Sequence, residues 1–189
     1  SEFVIENRKL VAYKGNGGDV VIPDDEGIIY IGDFAFAHYD LDNEKEVEKD
    51  ENGYYDMDEK KSAIGNNTVT SVVIPEGVEA INKYAFYNCT ALTDVTFCNG
   101  LEYIGNDAFY SCRALETVEI PSSVKTIGTS AFAGCYSLAN IEIPNGVTTI
   151  ESFAFSDCPK LTGVTIGNSV TIIGSYAFQN CTSLKSVTI

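Results

Sequence analysis

The chain has 189 residues, of which 44% are hydrophobic, and it carries a formal net charge of −15. This length and composition suit one domain or one short repeat array, and they exclude wholesale disorder. Excess acidic side chains repel phosphate backbones and anionic lipid headgroups, so we expect no nucleic-acid partner. No apolar run is long enough to cross a bilayer, which predicts that the chain does not insert into membranes.

Residues 1–19 are predicted to form a β-hairpin. The apolar runs Phe3–Ile5 and Leu10–Tyr13 flank the polar stretch Glu6–Lys9, a pattern typical of two strands joined by a turn. A stacked repeat array needs an atypical unit over its first open face. We therefore interpret the hairpin as an N-terminal cap.

Residues 20–39 carry a degenerate copy of a motif that returns more regularly further along the chain. The spacing from Ile22 to Ile31 is two residues longer here than in the later units. His38, the only histidine of the chain, lies in this copy and is interpreted as a surface residue of the cap. The residues that preserve the motif are Val20–Pro23, Ile31, Gly32, Ala35 and Phe36.

Residues 40–68 lack the motif and are predicted to be an acidic, solvated insertion or a badly degenerate coil, since the stretch from Asp40 to Lys61 contains ten acids and only four lysines. A calcium site is the alternative interpretation. Glu48–Glu59 places oxygen-bearing side chains at positions 1, 3, 5, 9 and 12, with Gly53 at position 6, as in an EF-hand loop. However, position 1 is Glu rather than the shorter Asp, and no flanking helices are apparent, so we predict no metal site.

Residues 69–189 are predicted to form five regular units of 23 residues. Each unit has an Ala-Phe pair, a cysteine, a leucine and an alternating V-x-I segment, which predicts a short strand with two side chains facing the core. Phe and Cys lie three residues apart, which predicts a single helical or 3₁₀ turn. One such coil cannot bury its apolar face, whereas stacked coils can. The fold class is therefore a repeat solenoid, mainly β, with short helical or 3₁₀ turns.

The repeated cysteines are predicted to form a ladder of buried free thiols rather than disulfides, metal ligands or catalytic nucleophiles. In-register side chains on neighbouring coils meet disulfide geometry poorly, and no C-x-x-C pair provides zinc-ligand spacing. Cys98 stands outside the ladder, and we expect it nearer the surface. The ladder residues are Cys89, Cys112, Cys135, Cys158 and Cys181.

Binding sites on a solenoid are expected as columns of exposed residues that run across the coils. The residue inside each V-x-I segment and the column before it must point away from the core. A second candidate strip follows the Phe column at Tyr87 and Tyr110, with Tyr136 nearby, because aromatic residues anchor many interfaces. The predicted partner-binding residues are Asp94, Thr96, Thr117, Glu119, Asn140, Glu142 and Thr165.

The pattern A-F-x-x-C-x-x-L-x-x-V-x-I-P-x-x-V-x-x-I-G, complete from Ala108 to Gly128, resembles the BspA-type leucine-rich repeat of bacterial surface proteins. The resemblance implies a leucine-rich-repeat-like fold, a right-handed curved coil with parallel strands on its concave side. It also implies a secreted or surface-attached protein involved in adhesion. The motif fixes scaffold positions, so it supplies no catalytic, cofactor or metal residue.

The sequence thus predicts a non-catalytic binding module at the cell surface or outside the cell. Its expected partner is a protein or glycan of a host, a matrix or another cell. A structural spacer in a larger surface protein is the alternative, and an enzyme has almost no support. The chain stops at Ile189, directly after a predicted strand. We therefore expect either end-to-end self-association through an uncapped last coil or further repeats in the natural protein.

Overall fold

The structure is a computed structural model that describes residues 2–39 and 63–189. The EF-hand-like stretch Glu48–Glu59 lies outside the described residues, so the expectation that it holds no metal stays a prediction, with calcium binding as its alternative. Within the described part, the regular elements are β-strands joined by turns, and no segment forms a helix. The predicted mainly-β solenoid is confirmed. The predicted domain boundaries remain predictions.

The chain begins with a hairpin whose strands β1 (Phe3–Glu6) and β2 (Lys9–Tyr13) pair antiparallel. The turn residues Asn7 and Arg8 have φ angles of 50° and 63°, and two successive positive φ angles are typical of a tight hairpin turn. The Tyr13 ring stacks on Phe36, with centroids 5.0 Å apart. The hairpin therefore packs against the first aromatic ring of the core.

One wall of the solenoid is a sheet in which β2 is followed by six two-residue strands, all parallel and in register. The second residue of each is an isoleucine, and Ile104, Ile127 and Ile150 are fully buried. The six strands are β4 (Tyr30–Ile31), β8 (Ala80–Ile81), β10 (Tyr103–Ile104), β11 (Thr126–Ile127), β13 (Thr149–Ile150) and β15 (Ile172–Ile173).

A second wall is formed by the V-x-I segments and consists of two parallel three-stranded sheets. The first contains β3 (Gly18–Val21), β7 (Val69–Val73) and β9 (Asp94–Thr96). The second contains β12 (Asn140–Ile143), β14 (Gly163–Ile166) and β16 (Ser186–Thr188). The coil between them forms a single bridge, Glu119 to Glu142, and no strand. The prediction of a strand at Val118–Ile120 is therefore wrong.

The third side of each coil is a run of turns. Within a coil, the Cys112 N–H donates to the Phe109 carbonyl at 3.2 Å, the i→i+3 bond that the Phe-Cys spacing predicts. Between coils, the Phe109 N–H donates to the Ala131 carbonyl at 2.8 Å. Asp107 and Ser111 have φ angles of 53° and 59°, in the left-handed region, so the segment cannot continue as a helix. Isolated turns therefore replace the predicted helical turn.

A two-stranded antiparallel ribbon, β5 (Ala37–Tyr39) and β6 (Ala63–Gly65), interrupts the first coil. The Asn66 N–H donates to the Phe36 carbonyl at 3.1 Å, so the chain rejoins the coil beside the point where it left. The sequence pattern did not predict this ribbon. The side chain of His38 lies outside the described residues, and its surface position stays a prediction.

The core is a column of phenylalanine rings, one from each coil, stacked nearly parallel. Centroid distances range from 4.6 Å for Phe36 and Phe86 to 5.5 Å for Phe155 and Phe178. These distances match the spacing of neighbouring strands, so in-register coils place ring on ring. The four rings that are fully buried at 0% exposure are Phe86, Phe109, Phe132 and Phe155.

Candidate binding surface

The outward-facing residues of the long-strand wall form a continuous surface, which we call the strand-face strip. Alternation along β12 explains it, because Ile141 and Ile143 are buried while Asn140 and Glu142 are exposed. Every partner-binding residue predicted from the sequence is exposed. They are Asp94, Thr96, Thr117, Glu119, Asn140, Glu142 and Thr165.

Strand register brings these residues together in two groups. Glu142 lies between Glu119 of the preceding coil and Thr165 of the following coil. Asp94 and Thr96 belong to β9, in the other three-stranded sheet. The two groups are neighbours along the solenoid, and a gap in the strand ladder separates them.

The gap lies between β9 and the coil that contains Glu119. The hydrogen bond from the Glu116 N–H to the Thr93 carbonyl is long, at 3.5 Å. The equivalent bond one coil earlier, from the Thr93 N–H to the Thr70 carbonyl, measures 2.8 Å. Phe97 stands here in place of an isoleucine, and its ring meets Phe109 edge-on, with centroids 5.8 Å apart. We attribute the opening to the bulk of this ring.

The opening forms a cleft of about 240 Å³ in the middle of the strip. Two acids stand at its rim, two threonines form its sides, and two apolar residues lie at its base. The lining residues are Asp94, Val95, Thr96, Phe97, Thr117 and Glu119.

Three acids of the strip lie close to one another: Asp94, Glu119 and Glu142. Glu119 and Glu142 occupy paired positions on adjacent coils, and Asp94 lies on the far side of the gap. Among the residues that the structure describes, none forms an ion pair with these three carboxylates. Like charges placed directly opposite one another destabilise a sheet, so a cationic partner would relieve a repulsion built into the strip.

The strip also extends one coil further toward the N-terminus than the sequence analysis proposed. Pairing of β3 with β7 places Val21 beside Val73, and these side chains are 67% and 37% exposed. Val20–Pro23 follows the V-x-I-P pattern, so its middle residue could have been assigned to the strip from the sequence. The strip thus has an apolar end and an acidic centre.

The tyrosine strip proposed as a second candidate is mostly part of the scaffold. Tyr87 is buried and stacks on Tyr110, with centroids 5.2 Å apart. Burial raises the pKa of Tyr87 to about 12 and also raises the pKa of Tyr110. Tyr136 is exposed, and Arg113 lies over its ring at 5.3 Å from the centroid. The expectation of a continuous exposed aromatic column is therefore wrong.

Four of the five ladder cysteines are buried, as predicted, and the ladder also provides hydrogen bonds. The Cys112 thiol donates to the Phe86 carbonyl of the preceding coil at 3.2 Å, and the Cys135 thiol donates to Phe109 at 3.4 Å. Burial raises the pKa of Cys135 to about 12. A thiol that resists ionisation is a poor nucleophile and a poor metal ligand. The ladder thus serves packing and coil-to-coil bonding.

The prediction that Cys98 lies near the surface is wrong. Cys98 is 2% exposed, and its thiol donates to the Val78 carbonyl at 3.1 Å. The accessible thiol is instead Cys181 in the last coil, which is half-buried. The neighbouring Cys158 thiol lowers the pKa of Cys181 to about 7.

Residues 2–39 and 63–189 contain neither a metal-binding cluster nor a membrane-spanning helix. No group of three or more His, Cys, Asp or Glu side chains converges there in a way that could hold a metal ion. The same residues contain no helix of the length and hydropathy needed to cross a bilayer.

Comparison with known families adds a sequence match. The family described as the BspA type leucine rich repeat region matches residues 60–187 in six copies. Six copies is one more than the five regular units predicted from the sequence. No curated protein matches the sequence.

Solved structures give three informative similarities. A leucine rich repeat protein of T. pallidum has a TM-score of 0.78 and 27% identity, covering 95% of this chain and 73% of the other. A leucine rich cell surface protein of Faecalibacterium prausnitzii has a TM-score of 0.60 and 40% identity over 62% of this chain and 31% of the other. The pneumococcal vaccine antigen PcpA has a TM-score of 0.55 and 25% identity over 66% of this chain and 34% of the other.

Proposed function

Because the chain belongs to the BspA-type leucine-rich repeat family, we propose that it is a non-catalytic module that binds a protein or glycan through the strand-face strip. The observation that carries the proposal is the contrast between the inward-facing residues of the coils and the outward-facing residues of the strip. The inward residues repeat from coil to coil, whereas the strip changes from valine through acids to threonine across aligned positions. Extended surfaces of this kind are what solenoids offer to macromolecular partners.

We place this module outside the cell or at its surface. Of the similar structures, one is described as a cell surface protein and another as a vaccine antigen. The non-catalytic assignment is supported by the thiols, because burial raises the pKa of Cys89 and Cys135 to about 12 and removes their nucleophilic form at neutral pH.

The test is binding of the chain to a panel of purified extracellular-matrix proteins and glycans, measured by biolayer interferometry. Thr96→Tyr combined with Thr165→Tyr adds bulk to the strip without changing the net charge. Thr148→Tyr combined with Thr171→Tyr is the matched control, because these threonines are exposed outside the strip. We expect the strip variant to lower affinity for any bound partner about tenfold and the control to change it less than twofold. Equal loss in both variants would contradict the proposal.

A structural spacer is the second candidate, and the continuous Phe column favours it. Rings stacked through every regular coil make each coil pack on its two neighbours, which suits a stiff segment that holds other domains apart. A spacer predicts that no panel member binds and that the strip variant behaves like the parent chain.

A further inference from the structure

We propose that the partner presents to the strand-face strip a basic protein segment with an apolar end, lying across the strands. This inference rests on the proposed function, in that it assumes the strip is the binding surface. It adds the chemistry of the partner and the direction in which the segment lies: apolar side chains over Val21 and Val73, and cationic side chains over Glu119 and Glu142.

Charge defines one end of the docking surface. Glu119 and Glu142 are exposed on adjacent coils, and no described residue pairs with either carboxylate. Within a chain of net charge −15, these acids favour Lys and Arg and repel acidic or sulfated glycans, nucleic acid and anionic lipid. A basic protein segment is the macromolecular partner that this charge selects.

Apolar surface defines the other end. Val21 and Val73 lie side by side in the β3–β7 register and are exposed to solvent. Moving a valine side chain out of water lowers the free energy, so a partner that covers these two residues would be stabilised. Asp19 is the acid nearest this end, and its carboxylate already accepts hydrogen bonds from the Thr70 and Ser71 hydroxyls, at 3.1 and 2.7 Å, whereas Glu119 and Glu142 have no such partners among the described residues. A partner that matches only charge would leave this end of the strip unused.

The cleft lies between the two ends and makes the surface concave there. Its rim acids Asp94 and Glu119 flank a base that includes Val95 and Phe97. Long basic side chains have apolar stems and charged heads, so they suit an opening with apolar and acidic walls. The cleft therefore provides a site for one inserted side chain midway along the segment.

Strand spacing sets the length of the segment. Val73, Thr96, Glu119 and Glu142 occupy equivalent positions in successive coils. Neighbouring strands lie about 4.8 Å apart, so the four coil-to-coil steps from Val21 through Val73 to Glu142 span roughly 19 Å. An extended peptide spans that distance with about six residues, so a short linear segment is sufficient.

The experiment uses the full chain and three short synthetic peptides, with affinities measured by calorimetry at low salt. The first peptide has leucines at one end and lysines at the other. The second has serines in place of the leucines, and the third has glutamates in place of the lysines. We expect the first to bind most tightly, the second more weakly and the third not at all.

Charge-reversal variants then locate the binding surface. Glu119→Lys combined with Glu142→Lys should weaken the first peptide about tenfold. Glu79→Lys combined with Glu102→Lys changes the net charge equally at exposed sites outside the strip, and it should weaken binding less than twofold. Val73→Ser should weaken the leucine peptide about threefold and leave the serine peptide unchanged.

The results separate this inference from the proposed function. Equal weakening by both charge-reversal pairs, or binding of the glutamate peptide, overturns the inference. A different outcome is that a panel protein binds the parent chain, fails to bind the Thr96→Tyr and Thr165→Tyr variant, and still binds the charge-reversal variant. In that case the strip is the binding surface and the inference of a basic partner is wrong. If the leucine-lysine peptide binds with the expected variant pattern while no panel member binds, the partner chemistry holds and the proposed matrix or glycan partners fail.

Discussion

Phe132 and Glu142 belong to the same stretch of chain, yet they illustrate two different kinds of column. Phe132 stacks between the equivalent rings of the coils before and after it, whereas Glu142 faces solvent beside a second glutamate. The inward column repeats because every coil must fill the same space. The outward column varies because no neighbour constrains it. We therefore expect stability to depend on the first column and binding on the second.

The largest expected effect is on the inward column. Phe132→Ala removes a fully buried ring and leaves a cavity between Phe109 and Phe155, so the free energy of unfolding should fall by about 3–5 kcal/mol. Glu142→Ala is the control on the outward column and should change it by less than about 0.5 kcal/mol. Urea unfolding followed by circular dichroism measures both, and equal effects would remove the distinction between the two columns.

The thiol ladder gives the next effect, which depends on pH. Burial raises the pKa of Cys89 and Cys135 from 9.0 to about 12. The folded state therefore holds these protons more tightly than the unfolded state, so stability is full below pH 9 and falls as the pH rises toward 12. Each thiol should contribute a slope of about 1.4 kcal/mol per pH unit in that range.

Urea midpoints measured from pH 8 to pH 11 test this slope, and Cys135→Ala should reduce it. Thiol labelling at neutral pH should modify Cys181, whose pKa is lowered to about 7, and should modify Cys135 only after unfolding. Rapid labelling of Cys135 in the folded chain would show that the ladder is accessible.

A smaller effect is expected from the turns, which carry non-glycine residues at positive φ. Ser130 has φ of 54°, and Gly134 in the same turn has φ of 71°. A side chain in this region costs about 1–2 kcal/mol, partly offset by the unfolded-state entropy of glycine. Ser130→Gly should therefore raise the free energy of unfolding by about 0.5 kcal/mol, and Gly134→Ala should lower it by about 1 kcal/mol. Thermal melting of the matched pair checks the opposite signs.

The smallest effect should come from the outward column itself. Glu119→Gln removes one of two like charges at paired positions, so it should stabilise the fold by a few tenths of a kcal/mol at low salt. The gain should vanish at high salt because screening removes the repulsion. A loss of stability on this substitution would mean that the carboxylate has a structural role.

The period was sufficient to predict the solenoid, the Phe column and the buried ladder of thiols. These features depend on residues that recur in register, and stacking makes each of them neighbour its own copy. The outward position of the strip residues also follows from the period, since side chains alternate along a strand. A feature that is carried by a recurring residue type is readable in this way.

Features that depend on one coil alone, or whose residue types differ from coil to coil, were missed. The gap beside Glu119 arises where Phe97 replaces an isoleucine, and the sequence pattern treats both as equivalent apolar residues. Cys98 was placed near the surface because it replaces a proline, although its thiol bonds to Val78. The left-handed turn residues were missed because most of them are not glycine. Such details depend on contacts with the next coil rather than on local pattern.

The antiparallel ribbon of β5 and β6 has a practical consequence. Pairing of Ala37 with Gly65 holds the two ends of residues 40–62 beside each other, and the coil continues through Asn66. Closing a loop between ends that are already adjacent adds little entropic cost when the loop changes length. Sequences exchanged between these strands should therefore leave the coils in register, which makes this position an attachment point for a reporter domain.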